Sequence, residues 1–384
     1  MRNSTRGQVD PFLVMDVVEA ARQAEMAGRH IVHMEVGQPG TPAPQGARDA
    51  LAQALMGQDP MGYTVALGLP ALRARIAALY DEWYGIDLDP NRVVVTPGSS
   101  GAFILAFTAL FDAGDRVGIG APGYPSYRQI LRALDLTAVD IETDAAARFQ
   151  PRPQDVAAHD LAGLLVASPA NPTGTMLSKS ELGALIDATQ SAGAAFISDE
   201  IYHGIEFDRP SVSALNINND VYVINSFSKY FSMTGWRVGW MVVPEDHVRG
   251  VERLAQNLFI CPPHAAQLAA LAAMDCDAEL QANMDVYRAN RTMMLQGLPK
   301  AGFTRIAPPD GAFYIYADVS DLCDDSRVFA RQILDEANVA VTPGVDFDPV
   351  RGHGTLRFSY ACSSDDIAEG LHRLTMFMKT KGLA

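Results

Sequence analysis

The chain has little cysteine, little tryptophan, a deficit of positive charge and no long apolar run. Its four cysteines, Cys261, Cys276, Cys323 and Cys362, are scattered without a CxxC pair, so neither a zinc site nor a disulfide framework is indicated and a reducing compartment fits. None of the eight histidines falls in an HExxH or comparable spacing, so they read as structural or surface residues and no metal is expected. No segment reaches about 18 uninterrupted apolar residues, and the N-terminal MRNSTRGQVDPF has charge but no apolar stretch of the signal-peptide kind. A soluble, cytoplasmic protein is the expectation. A net charge of −15 without a basic patch argues against nucleic acid or an anionic membrane as partner. Low-complexity tracts and repeats are also missing, which excludes disordered and solenoid classes.

What is present is an ordinary globular composition over 384 residues, 48% apolar, enough for one large α/β domain with a smaller companion. Short apolar runs recur between helical patterns: RVVVT (92–96), DRVGIG (115–120), LTAVDIE (136–142), LAGLLVAS (161–168), AAFISD (194–199), VYVINS (221–226) and VGWMVV (238–243). The alternation predicts an α/β fold whose mostly parallel seven-stranded sheet lies between helices. Upstream, Asp10-Pro11 reads as N-cap and first helical residue of an amphipathic helix ending at Gly28. From about residue 281 the rhythm changes to a long polar helix, a strand pair and a closing helix. We therefore expect an N-terminal arm and helix (1–40) packing with a small α+β C-terminal domain (281–384), and a large domain over 41–280.

In such sheets ligands bind beyond the carboxyl ends of the strands. Those ends carry the polar residues here: TPGSSG, APGYPSY, SPANPTG, SDEIYHG and NSFSKYF. Two readings of this crevice compete with a third. GIGAPG (Gly118 to Gly123) matches a dinucleotide fingerprint, with Asp140 downstream, but Pro122 and Pro125 keep the chain extended and delay the helix to about Tyr127. This disfavours an NAD-binding oxidoreductase. Ser226 to Lys229 matches the SxxK of serine acyl-enzymes, but no SDN-type or KTG element follows it.

The third reading uses every strand end, because together they supply what pyridoxal 5′-phosphate demands. Lys229 can be the amine that forms a Schiff base. Asp199, ending an apolar strand, can keep the ring nitrogen protonated. Ser99, Ser100, Ser226, Ser228 and Arg237 offer hydroxyls, amides and a guanidinium to a phosphate. Asn171 and Tyr202 can serve the phenolic oxygen, and Tyr124 can stack on the ring.

At these residues the chain resembles the fold-type I, class I/II pyridoxal-phosphate aminotransferases of the aspartate aminotransferase superfamily. The segments that carry the resemblance are GYTVALGLPALR, VTPGSSGAF, APGYPSY, SPANPTG, SDEIY, SFSKYFSMTGWRVG, PDGAFYIY and TLRFSYA, in order from residue 62 to 361. The resemblance implies that Lys229 holds the cofactor and acts with Asp199 and Tyr202 in catalysis, with Tyr202 and Asn171 as phenolate partners. It implies that Ser226, Arg237 and amides near Ser99 and Ser100 grip phosphate, and that Tyr63 reaches the phosphate of a neighbouring subunit in a homodimer. Arg357 would clamp a substrate α-carboxylate, and Gly37 would admit the substrate to the backbone. Structural roles compete at four positions: core packing for Tyr124, turns for Tyr63 and Gly37, and an ion pair for Arg357.

The implied reaction is ping-pong transfer of an amino group from an L-amino acid to a 2-oxo acid. Ser100 stands where related bacterial aspartate enzymes often carry a lysine for the distal carboxylate, so aspartate is not the favoured donor. A carbon–sulfur β-lyase would share every cofactor residue. A cofactor-sensing transcription factor would need a DNA-binding domain ahead of the sheet, for which the N-terminal segment is expected to be too short.

Overall fold

The computed structural model describes residues 1–57 and 60–383. Strand β1 (Val32–His33) is followed by the strands of the main sheet: β2 (Val93–Thr96), β3 (Arg116–Ala121), β4 (Thr137–Glu142), β5 (Gly163–Ala167), β6 (Ala195–Asp199), β7 (Tyr222–Ser226) and β8 (Gly239–Val242). All seven coincide with the predicted apolar runs. Their order is β2-β8-β7-β6-β5-β3-β4, and only β8 runs antiparallel to its neighbours. The runs are contiguous rather than alternating because helices cover both faces, so successive side chains are buried on opposite sides. Val93 and Val95 join Phe196 and Val223 in one core, whereas Val94 joins Ile197, Ile224 and Met241 in the other. The carboxyl ends of β2, β3, β5, β6 and β7 therefore share one edge with the start of β8.

The glycines of GIGAPG serve packing. A Cβ at Gly118 would lie 2.8 Å from Leu161 Cδ1, and the Gly123 amide donates to the Phe347 carbonyl at 3.0 Å. The following helix is Pro125–Ala133, so it starts two residues earlier than expected, with proline at its first position.

The C-terminal part is richer than the expected strand pair. Strands β9 (Arg305–Ile306), β10 (Tyr314–Asp318), β11 (Val339–Ala340), β12 (Thr342–Pro343) and β13 (Thr355–Ser359) follow the helix Asp277–Lys300. Four of them form an antiparallel sheet ordered β12-β13-β10-β9, and β11 pairs in parallel with β1. The long helix buries Leu280, Met284, Tyr287, Met294 and Leu298, a helical stripe that docks it.

The N-terminal helix spans Leu13–Met26, not a helix capped by Asp10. Its free first-turn amides are satisfied from far away in sequence: Asp346 accepts from Leu13 N at 3.0 Å and from Val14 N at 3.2 Å. Its inner face packs through Ala21, with Ile31 beyond it, on Leu334 and Ala340. Among the described residues no helix is long and apolar enough to cross a membrane.

Candidate active site

The shared strand edge opens into a cavity of about 550 Å³. Into it the fold brings Gly37, Ser99, Ser100, Tyr124, Asn171, Asp199, Tyr202, Ser228, Lys229, Arg237 and Arg357, eleven of the thirteen candidates. Ser226 lies behind Ser228, with its hydroxyl 2.8 Å from Ser228 Oγ and donating to the Val238 carbonyl at 3.1 Å. Tyr63 lies outside the cavity and is 82% exposed. No Ser226–Lys229 pair of the acyl-enzyme kind forms, because Lys229 Nζ donates instead to the Gly37 carbonyl at 2.6 Å.

Each group is placed by its strand. Asp199 is the last residue of β6 and is buried. Ile201 N donates to its Oδ1 at 3.1 Å, and the Tyr127 hydroxyl donates to Oδ2. Burial pushes the Asp199 carboxyl up to about 6, against the opposing pull of those hydrogen bonds and of Lys229. Lys229 follows β7. Its amine is lowered to about 8, first by burial and then by the positive charge of Arg357. Tyr202, also buried, shares a 2.8 Å hydrogen bond with the Tyr314 hydroxyl, and burial raises its phenol well above the usual range.

Arg357 sits in the middle of β13, its guanidinium 4.4 Å from the Tyr314 ring centroid and 4.7 Å from that of Phe347. It donates to Asn171 Oδ1 at 2.9 Å and to the Glu35 carbonyl, and its buried Nε has no partner among the described residues. A buried guanidinium with an unused donor suits an anionic ligand. Two glycines make room for side chains of the site, one for Arg237 and one for Tyr314. A Cβ at Gly98, whose φ is +70°, would lie 2.4 Å from Arg237 Nη2, and one at Gly37 would lie 2.0 Å from the Tyr314 hydroxyl. Gly98 opens the helix Gly98–Leu110, so Ser99 and Ser100 occupy its first turn beside Arg237, a setting that favours a phosphate.

The sequence pattern described as aminotransferase class I and II matches residues 29–374. The chain belongs to this family. Valine–pyruvate aminotransferase of Mycobacterium tuberculosis is 45% identical, covering 99% of this chain and 99% of that protein. A solved structure from Silicibacter pomeroyi is 71% identical with TM-score 0.95, covering 99% of this chain and all of the other. The aspartate aminotransferase of Thermus thermophilus, solved with maleate, is 29% identical with TM-score 0.92 over 98% of this chain and all of the other.

Aminotransferases of this family use pyridoxal 5′-phosphate, and the residues of the cavity fit it: one primary amine, one buried carboxylate, a helix N-terminus beside an arginine, and a guanidinium with a donor to spare. Sequence reasoning missed several groups of this aminotransferase's site. Tyr127 lies within APGYPSY and braces Tyr124 edge-on at 5.2 Å while bonding Asp199. Tyr314 lies within PDGAFYIY. Thr234, within SFSKYFSMTGWRVG, lines the cavity as well, as do Phe12, Val14, Met15 and Val36, which no sequence signal marked.

Proposed function

We propose that this aminotransferase binds pyridoxal 5′-phosphate through Lys229 and transfers amino groups between neutral, apolar L-amino acids and 2-oxo acids by a ping-pong scheme. The bound cofactor supplies an electron-withdrawing ring that makes the substrate Cα proton removable and stores the amino group between half-reactions. Lys229 Nζ, partly neutral near pH 8, serves as the base at Cα. Asp199 opposes loss of the ring-nitrogen proton, Asn171 and Tyr202 serve the phenolic oxygen, and Tyr124 stacks on the ring. Ser99, Ser100, Ser228 and Arg237 receive the phosphate, with Ser226 orienting Ser228 from behind. Gly37 keeps the substrate side of the cavity open, and Arg357 holds the α-carboxylate.

The observation that carries the choice of donor is the cavity's wall. Its cationic side chains are Lys229, Arg237 and Arg357, each with a task, while Phe12, Val14, Met15 and Val36 are apolar and Ser100 is neutral. Among the described lining residues the remaining polar side chains, Gln38 and Thr234, are neutral, so no spare cation is left to pair with a second carboxylate. The name of the Mycobacterium tuberculosis relative, valine–pyruvate aminotransferase, points the same way.

Single-turnover amino transfer, followed spectrally and by release of the 2-oxo acid, is expected to be faster from valine, methionine, alanine or phenylalanine than from aspartate at matched concentrations. Aspartate as the fastest donor overturns the reading. Arg357→Ala is expected to weaken all donors alike, by about 2 to 5 kcal/mol, because every one presents the same carboxylate.

The same reading makes the working unit a homodimer with Tyr63 of one subunit at the phosphate of the other. The supporting observation is that Tyr63 is exposed, as are Val65, Leu55, Met56, Leu258 and Ile260, with residues 62–64 tied to His264 and Gln267. Light scattering on active holoenzyme is expected to give twice the chain mass; a fully active monomer contradicts it.

A further inference from the structure

Residues 10–15 supply part of the cavity wall and are anchored at both ends. On the main-sheet side, Asp10 N donates to Gln129 Oε1 at 3.0 Å, and the Asp10 carboxylate accepts from Gln129 Nε2 at 3.3 Å and lies 3.4 Å from Arg132 Nη1. On the other side, the Asp346 carboxylate takes the amides of Leu13 and Val14. Between the anchors, Phe12 meets Tyr124 edge-on at 5.9 Å, and Phe12, Val14 and Met15 line the cavity.

The two anchors differ in kind. Asp10 and Arg132 are exposed, so their pairing is weak. Asp346 is buried and bonds both amides at the start of a helix, where a carboxylate is favoured. It also stands in the turn Gly344–Asp346 directly after β12, whose Thr342 pairs with Arg357 of β13. The carboxylate that fixes the segment is thus built on the same sheet as the guanidinium assigned to the substrate's α-carboxylate.

From this we infer that Asp346 is a positioning residue for substrate choice: it holds the Phe12–Val14–Met15 wall at a set distance from Arg357, so that the site accepts a branched aliphatic side chain and rejects a charged one. The inference rests on the transaminase reading for the identity of the ligand, but not on turnover for its test. A substrate held by Arg357 through its carboxylate has its β-carbon and beyond directed to whatever surface lies at that fixed distance. Val14 is 4% exposed and lines the cavity beside Phe12, so methyl groups resting against it meet apolar surface instead of water.

The test compares binding of 3-methylbutanoate, which carries the carboxylate and branched chain of valine, with propanoate, which carries those of alanine. Calorimetry on the holoenzyme reads both without chemistry. Asp346→Ala is expected to weaken 3-methylbutanoate about tenfold and propanoate less than about twofold, since one or two buried methyl groups are worth roughly this ratio. Asp346→Asn, which keeps one acceptor, should recover part of the difference. In steady state the KM for valine should rise while kcat holds, because Lys229 and Asp199 are untouched. Equal losses for the two acids would mean that Asp346 supports Arg357 and not the wall; no loss for either would remove Asp346 from recognition. Both results overturn the inference. Val14→Ala guards against a misfolded Asp346 variant: with the anchor intact, it should lower the valine-to-alanine preference about tenfold, and an unchanged preference is equally fatal. If no amino acid is converted by the wild-type chain, the transaminase reading fails on its own, and the binding ratio still decides the role of Asp346.

Discussion

Lys229→Ala is expected to slow amino transfer from every amino acid by roughly 10⁴-fold or more, since one side chain serves as both attachment point and base. The cavity offers no substitute. Its other cations, Arg237 and Arg357, are guanidiniums that stay protonated, so neither can present a neutral nitrogen. For the same reason Lys229→Arg, which keeps the charge, should be as inactive as the alanine variant. Borohydride reduction of the holoenzyme followed by peptide mapping should mark Lys229; a mark on another lysine, or none, would falsify the assignment. The setting of the amine adds a pH signature. Burial and the charge of Arg357 lower it to about 8, so the nucleophilic form grows as pH rises through that value and capture of the cofactor aldehyde by the apoprotein should accelerate with it. A capture rate that is flat between pH 7 and 9 would contradict a lysine in this environment.

How much of this could be read from the chain alone depends on the range of the interactions involved. The seven main-sheet strands were legible because burial on both faces makes each a contiguous apolar run bounded by turn residues. The small strands β9 and β12 are two residues each, too short to show a period, so a four-stranded sheet reads as a strand pair. Asp10-Pro11 has the local form of a helix start. The helix instead begins at Leu13, because a carboxylate more than 330 residues away satisfies its amides, and no local pattern reports such a partner.

The site divides the same way. Lys229, Asp199, Asn171 and Arg237 stand at strand ends, where topology alone brings them together. Tyr127 is within the same segment as Tyr124, yet that it faces Asp199 follows only from how the helix Pro125–Ala133 is seated on the sheet. Ser226 and Ser228 alternate about the end of β7, and only the structure shows which of the two reaches the cavity. The wall from the N-terminal segment had no chemical signature, being Phe, Val and Met in an amphipathic pattern that reads equally well as core.

Asp199→Asn should separate the function of the buried carboxylate from its cost. The substitution keeps an oxygen for the Tyr127 hydroxyl or the Ile201 amide and removes only the charge. Without that charge nothing in the cavity opposes loss of the ring-nitrogen proton, so half-reaction rates should fall by about 10³-fold, the scale of a lost electrostatic contact in a closed site. The apoprotein should behave oppositely. Burial raises the carboxyl from 3.8 to about 6. Between those values the unfolded chain has released this proton and the native chain has kept it, so the group's contribution falls as pH rises and is fully unfavourable above about 6. Two pH units correspond to about 3 kcal/mol, so Asp199→Asn apoprotein should gain up to about that much stability at pH 7 relative to wild type and little near pH 4. Chemical denaturation of both apoproteins at several pH values measures the difference. A variant that is no more stable at pH 7 than at pH 4, relative to wild type, would show that the carboxylate is already compensated in the empty cavity. A stabilised but inactive variant would show the opposite: an uncompensated negative charge is kept in the core because the site's chemistry requires it.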